Sequence, residues 1–231
     1  MLQLCRFVIA SSTPYLETSA TLAPWSHKAH VIPLATPDRR GSSTGAPRDW
    51  ARRPLQLLSV GRLSYYKGFV HLVEAMSHLE DCELTLIGAG DQRSALETRI
   101  RTLGLHDRVR LVGDCDDEEL ARLYQSTHLF CLPSIERTEA FGIVLLEAMR
   151  AGTPCLVTDV EGSGMSWVVR SGETGLVVRH SDPQALAESI QWFESRRDKL
   201  QEMGEKARER FQQSFSLEAC SEAVSELYSE L

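Results

Sequence analysis

Three stretches of this chain place residues of useful chemistry at telling intervals. The first is Gly61-Arg62-Leu63-Ser64-Tyr65-Tyr66-Lys67-Gly68. Its two cations stand five residues apart between glycines, at the end of an apolar run. There they could clamp a diphosphate, Arg62 as a planar fork and Lys67 as a point charge. Taken alone the motif favours the plainer reading of two solvated loop cations. The second is Glu139-Ala-Phe-Gly-Ile-Val-Leu-Leu-Glu147. Phe141, Gly142 and Ile143 would form the first turn of a helix, whose unpaired N–H groups attract anions, and Gly142 would let a phosphate approach closely. Glu147 lies two turns beyond Glu139 on a helix that is apolar nearly all round. A buried carboxylate needs a partner. A vicinal diol such as a ribose offers two O–H donors and is the preferred reading; a core arginine is the alternative. The third stretch, Ile87-Gly88-Ala89-Gly90, is a glycine turn too short for a dinucleotide fingerprint and reads as a plain tight turn.

Other chemistry finds less support. The seven histidines, His27, His30, His106 and His128 among them, show no metal or triad spacing and read as structural or surface groups. Cys5, Cys82, Cys115, Cys131, Cys155 and Cys220 form no C-x-x-C and no zinc pattern. They read as reduced core thiols of a cytoplasmic protein. No D-x-D pair of metal-binding type is counted after a strand. Neither a metal nor a cofactor is therefore expected.

The elements that must hold these residues alternate from residue 55 onward. Near-continuous apolar runs at 55–60, 83–88, 108–112, 129–133, 154–159 and 175–178 read as buried parallel strands. Phe69, Val70, Leu72, Val73, Met76 and Leu79 follow a helical period. Asp116 and Glu119 make a capping box for a helix at 117–126, and Asp182-Pro183 opens another. This order predicts an α/β fold, a doubly wound and mostly parallel sheet whose ligands bind at the carboxyl ends of the strands. Residues 1–35 differ: FVIASS (7–12) and HVIPL (30–34) read as strands around a short helix at 14–23, too little to bury a core alone. Residues 36–53 read as a linker, 54–215 as the α/β domain and 216–231 as a C-terminal helix capped by Ser216.

Composition narrows the function. The chain has 231 residues and a net charge of −7, which argues against nucleic-acid binding through phosphates. No run of 18 apolar residues appears, so no membrane span is expected. MLQLCRFVIASS is not read as a signal peptide, because Arg6 interrupts the apolar stretch and no basic region precedes it.

Together VGRLSYYKG, LTLIGAGD, RVRLVG, FCLPSIERTEAFGIVLLEAMRAGTPCLVTD and GETGLVV resemble the C-terminal half of the group 1 glycosyltransferases of GT-B fold, over about residues 55–195. The resemblance implies metal-independent glycosyl transfer from a nucleotide-sugar, a UDP-, GDP- or ADP-sugar, with retention at the anomeric carbon. It implies that Arg62 and Lys67, beside Gly61 and Gly88, hold the donor diphosphate. Glu139 would meet the donor sugar near the reacting centre, and Glu147 the ribose. Arg110 would lie at the base edge, and Phe141, Gly142 and Ile143 would meet sugar and phosphate through their N–H groups. Catalysis would rest on Glu139, Arg62 and Lys67.

Residues 1–35 resemble the tail of the family's acceptor domain, so the acceptor pocket is expected from a missing N-terminal half, lost by truncation or supplied by a separate chain. The acceptor would be a saccharide or a lipid-linked saccharide. Any contact with the inner membrane face would come through that half, and the isolated chain is expected to be inactive. Residues 160–169 resemble a variant seen in relatives that build bacterial surface polysaccharides with mannose or rhamnose. The alternative is a nucleotide-sugar-binding module without catalysis, or a partner-dependent subunit. A GT-B epimerase or phosphorylase fits less well, since no acid–base set and no pyridoxal lysine motif is found.

Overall fold

A computed structural model describes residues 2–37 and 48–229. Most of the expected linker therefore lies outside the described residues, as does Leu231.

The chain opens with β1 (Val8–Ala10), α1 (Thr13–Thr18) and β2 (Ala29–Val31). The expected helix at 14–23 is shorter. Ser12 caps α1, and the segment ahead of Pro24 leads into a 3-10 turn at Ala23–Lys28 rather than continuing the helix. β1 and β2 pair with each other in parallel.

The main body runs β3 (Leu55–Val60), α2 (Phe69–Met76), β4 (Cys82–Ile87), α3 (Arg93–Thr102), β5 (Val109–Gly113), α4 (Asp117–Ser126) and β6 (Leu129–Leu132). It continues through α5 (Ile143–Arg150), β7 (Cys155–Thr158), α6 (Met165–Val168), β8 (Gly175–Val178), α7 (Pro183–Glu194), α8 (Arg197–Ser214) and α9 (Leu217–Ser229). The six strands form one parallel sheet in the order β5-β4-β3-β6-β7-β8. The chain starts at the centre, works out to one edge, then returns to fill the other side. This is the doubly wound order, and its switch point lies between β3 and β6.

Alternate residues of each strand serve two cores. Leu55 and Leu57 of β3, with Leu129 and Cys131 of β6, pack beneath α2, α3 and α7. Leu58 and Val60, with Phe130 and Leu132, pack beneath α4, α5 and α8. Covering both faces is why these strands read as continuous apolar runs. Burial pushes the Cys82 thiol up to about 12 and those of Cys131 and Cys155 higher still, which leaves them protonated core groups.

Two attachments fix the ends of this body. The Arg48 guanidinium lies over the Trp50 ring and donates to the carbonyls of Tyr124, Gln125, Ala151 and Gly152 and to Thr153 Oγ1. It thus takes up free carbonyls at the C-terminal ends of α4 and α5, where a cation is favoured. Burial draws its pKa down to about 10. At the other attachment, Ser216 Oγ accepts from Ala219 N at 3.2 Å to cap α9, and Thr36 N donates to Phe215 O. The Cys220 thiol lies 3.4 Å from Pro33 O, so α9 starts against the segment that follows β2.

Candidate functional site

The loops after β3 and β6 meet at the switch point. Ile135 N donates to Tyr66 O at 2.8 Å, joining them through the backbone. Lys67 ends a 3-10 turn at Tyr65–Lys67 and is buried, only 6% exposed. Its ammonium pairs with Glu139 Oε2, itself buried. A Cβ placed on Gly61 would stand 3.2 Å from Lys67 Nζ, so the ammonium lies directly over the end of β3.

Glu139 is held from several sides. Ser134 Oγ donates to its Oε2 at 3.1 Å, and Ser163 Oγ donates to its backbone carbonyl at 2.5 Å. Thr158 donates in turn to Ser134 O. All these groups are buried, which leaves the Glu139 carboxylate fixed in one position.

Arg62 stands apart from this network. It is exposed and makes no side-chain ion pair or hydrogen bond among the described residues. It lines a cavity of about 370 Å³ with Val60, Gly61, Ile87, Gly88, Asp114 and Cys115. The floor of this cavity is the carboxyl edge of β3 and β4, and Leu120 of α4 forms part of its wall. Gly88 is required there. Its φ is +132°, and a Cβ would fall 2.1 Å from Gly61 O. The turn the sequence offered as plain thus lets the loops after β3 and β4 lie backbone to backbone.

α4 links this cavity to Glu147. Leu120 reaches the cavity, and Tyr124, one turn on, donates to Glu147 Oε2 at 2.9 Å. The Glu147 partner is therefore a tyrosine, not the arginine considered as an alternative. Burial, then the Glu147 charge, raise the Tyr124 pKa well above its usual value, so the phenol remains a donor. Glu147 is only half-buried, and a carboxylate with one oxygen engaged keeps acceptor sites for further donors.

Residues at the start of α5 divide. Phe141 is core: its ring packs edge-on to Phe215 and near Trp167. Gly142 has φ +83°, and a Cβ there would lie 2.9 Å from Leu145 Cδ1 and 3.0 Å from Leu132 Cδ2. The positive φ and the close packing thus both call for glycine here. Ile143 is 49% exposed. The N–H groups of Phe141, Gly142 and Ile143 make no bond among the described backbone pairs outside the helices, so the helix start keeps donors to offer.

One expected site residue lies away from the rest. Arg110 is the second residue of β5, with its guanidinium 3.2 Å from Thr85 Oγ1. The cavity is at the other end of that strand, beyond Gly113, where the chain supplies Asp114 and Cys115 instead. Asp114-Cys115-Asp116 is also a D-x-D pair directly after a strand, contrary to the sequence expectation. Asp116 is occupied in capping α4 through Glu119 N at 2.8 Å. Among the described residues no three His, Cys, Asp or Glu side chains group so as to hold a metal. His128, expected to be structural, accepts from Gln56 N at Nδ1 and meets Asp49 O through Nε2, so it is a satisfied neutral imidazole.

The sequence model of the family described as glycosyl transferases group 1 matches residues 46–210. D-rhamnosyltransferase WbpZ of Pseudomonas aeruginosa is 34% identical over 214 residues, which are 90% of this chain and 55% of that protein. O-antigen chain mannosyltransferase C of Escherichia coli is 29% identical over 97% of this chain and 60% of its own length. Among solved structures, sucrose-phosphate synthase of Thermosynechococcus elongatus superposes with a TM-score of 0.82 at 32% identity, covering 99% of this chain and 59% of that one. HepE of Anabaena, solved in complex with UDP and glucose, has a TM-score of 0.84 at 22% identity and shares the fold. The chain spans a little over half the length of these relatives.

Proposed function

The chain belongs to the group 1 glycosyl transferases, and from that premise we propose that it binds the nucleotide-sugar donor at the β3–β6 switch point for retaining transfer of the sugar to a saccharide or lipid-linked acceptor. The observation that carries this reading is the Lys67–Glu139 pair over the end of β3, next to Gly61, which lines the same cavity as Arg62. Lys67 keeps two further N–H donors and Arg62 all five, and both can turn to a diphosphate lying over Gly61. As the glycosidic bond breaks, negative charge grows on the leaving diphosphate, and the two cations stabilise it in place of a metal ion. The Glu139 carboxylate, fixed by Ser134 and Lys67, stands where positive charge grows on the sugar ring. It positions the sugar and offsets that charge. Glu147, through the oxygen not engaged by Tyr124, accepts from the ribose hydroxyls. Likeness to a rhamnosyl and an O-antigen mannosyl transferase supports a role in building a bacterial surface polysaccharide.

Titration calorimetry with UDP, GDP and ADP, in the presence of EDTA, tests the reading. At least one diphosphate binds without metal. Arg62→Ala weakens it by about 1.5–3 kcal/mol, the worth of a hydrogen bond to a charged group. Failure of all three to bind, or a strict need for a divalent ion, overturns the proposal.

A further inference from the structure

The cavity beside Arg62 carries two opposite charges that do not meet. Arg62 lines it from the loop after β3 and Asp114 from the loop after β5, yet no ion pair joins them among the described residues. Asp114 also makes no hydrogen bond to another described residue, whereas its neighbour Asp116 is used as a helix cap. Between them the lining is apolar or small: Val60, Ile87, Ala89 and Leu120. A ligand that fits this arrangement is anionic at one end, has an apolar surface between, and is rich in donors at the other.

A nucleoside diphosphate meets the first two conditions, and the third discriminates among the bases. A carboxylate only accepts hydrogen bonds, and it does so best from two parallel N–H donors. Guanine offers that pair through its N1–H and its exocyclic amine. Adenine and cytosine each set a ring lone pair beside the amine, which would face the carboxylate. Uracil offers one N–H flanked by two carbonyl oxygens, which repel it.

We propose that Asp114 selects guanine, so that the donor held here is a GDP-sugar. The inference rests on the donor-site reading above and goes beyond it by naming the base. Since the site is built to hydrogen-bond a particular edge, bases that lack the donors leave Asp114 desolvated without a partner, and they are rejected.

Competition calorimetry on the full chain with GDP, UDP and ADP provides the test. GDP binds at least tenfold more tightly than either rival. In Asp114→Asn, checked for an unchanged thermal melt, the preference falls below threefold, because an amide replaces one acceptor by a donor. Arg62→Ala weakens all three nucleotides by a similar factor and keeps their order. Tighter or equal binding of UDP or ADP overturns the guanine assignment, while the dependence on Arg62 keeps the donor site. An unchanged GDP preference in Asp114→Asn removes Asp114 from the recognition. Binding of none of the three overturns the base assignment together with the donor site.

Discussion

The two halves of the sheet end very differently. On the β3-β4-β5 side the carboxyl ends open into a cavity, with Arg62 and Asp114 exposed at its edge and unpaired among the described residues. On the β6-β7 side the ends are closed by buried polar groups: Ser134, Glu139, Thr158 and Ser163, with Lys67 reaching across from β3. The open side can exchange water for a ligand at small cost to the fold. The closed side fixes a charge in place before any ligand arrives, and its groups serve stability and binding at once.

Mutations should separate the two sides. The largest effect is expected at Lys67→Ala, which leaves Glu139 buried without its cation. Unfolding by denaturant should show a loss of about 3–5 kcal/mol, with nucleotide affinity lost as well. Arg62→Ala should match the loss of affinity and leave stability within about 0.5 kcal/mol of the parent. Equal destabilisation by the two variants would erase the distinction between the sides. Tyr124→Phe tests the link between them. It removes the donor to Glu147 and should cost about 1 kcal/mol of stability. If Glu147 then turns freely, discrimination between ribose and deoxyribose nucleotides should weaken.

The smallest effect lies at the back of the sheet, at His128. Burial lowers its pKa below the ordinary 6.5. The folded protein thus binds this proton less readily than the unfolded chain. The associated stability is fully present above pH 6.5 and is lost as the pH falls through the lowered value. Stability curves between pH 7.5 and 5 should decline toward acid, and less steeply in His128→Gln. An identical slope in the variant would assign the decline to other groups.

Much of this was legible in the sequence where the signal was local. The six strands were marked by apolar runs, and the reading of Glu139 just before a helix and Glu147 on it agrees with the loop after β6 and α5. Contacts between distant segments were not legible. The Lys67–Glu139 pair spans 72 residues, and each partner was read separately as a ligand for the donor. Asp114 was missed because its D-x-D pair with Asp116 was overlooked, and Cys115 and Leu120 because no motif marks them. The signal that could have found them is position: they follow β5, the neighbour of β3 and β4, whose following loops were already suspected. Arg110 lies early in its strand, whereas the cavity opens at that strand's end, a separation that the motif alone does not reveal. α8 went unnamed because its apolar face is thin, essentially Leu200, Met203, Ala207 and Phe211 in a strongly charged segment.

The account stands most directly on where a nucleotide sits. Hydrogen exchange of the full chain, with and without a saturating nucleoside diphosphate, reads this without assuming any activity. Slower exchange is expected at 61–68, 88–91, 113–116 and 139–144, the loops at the carboxyl edge, with α7 and α8 unchanged. Protection confined to other surfaces, or none in the loops that carry Arg62, Lys67 and Glu139, would contradict the placement of the donor at the switch point.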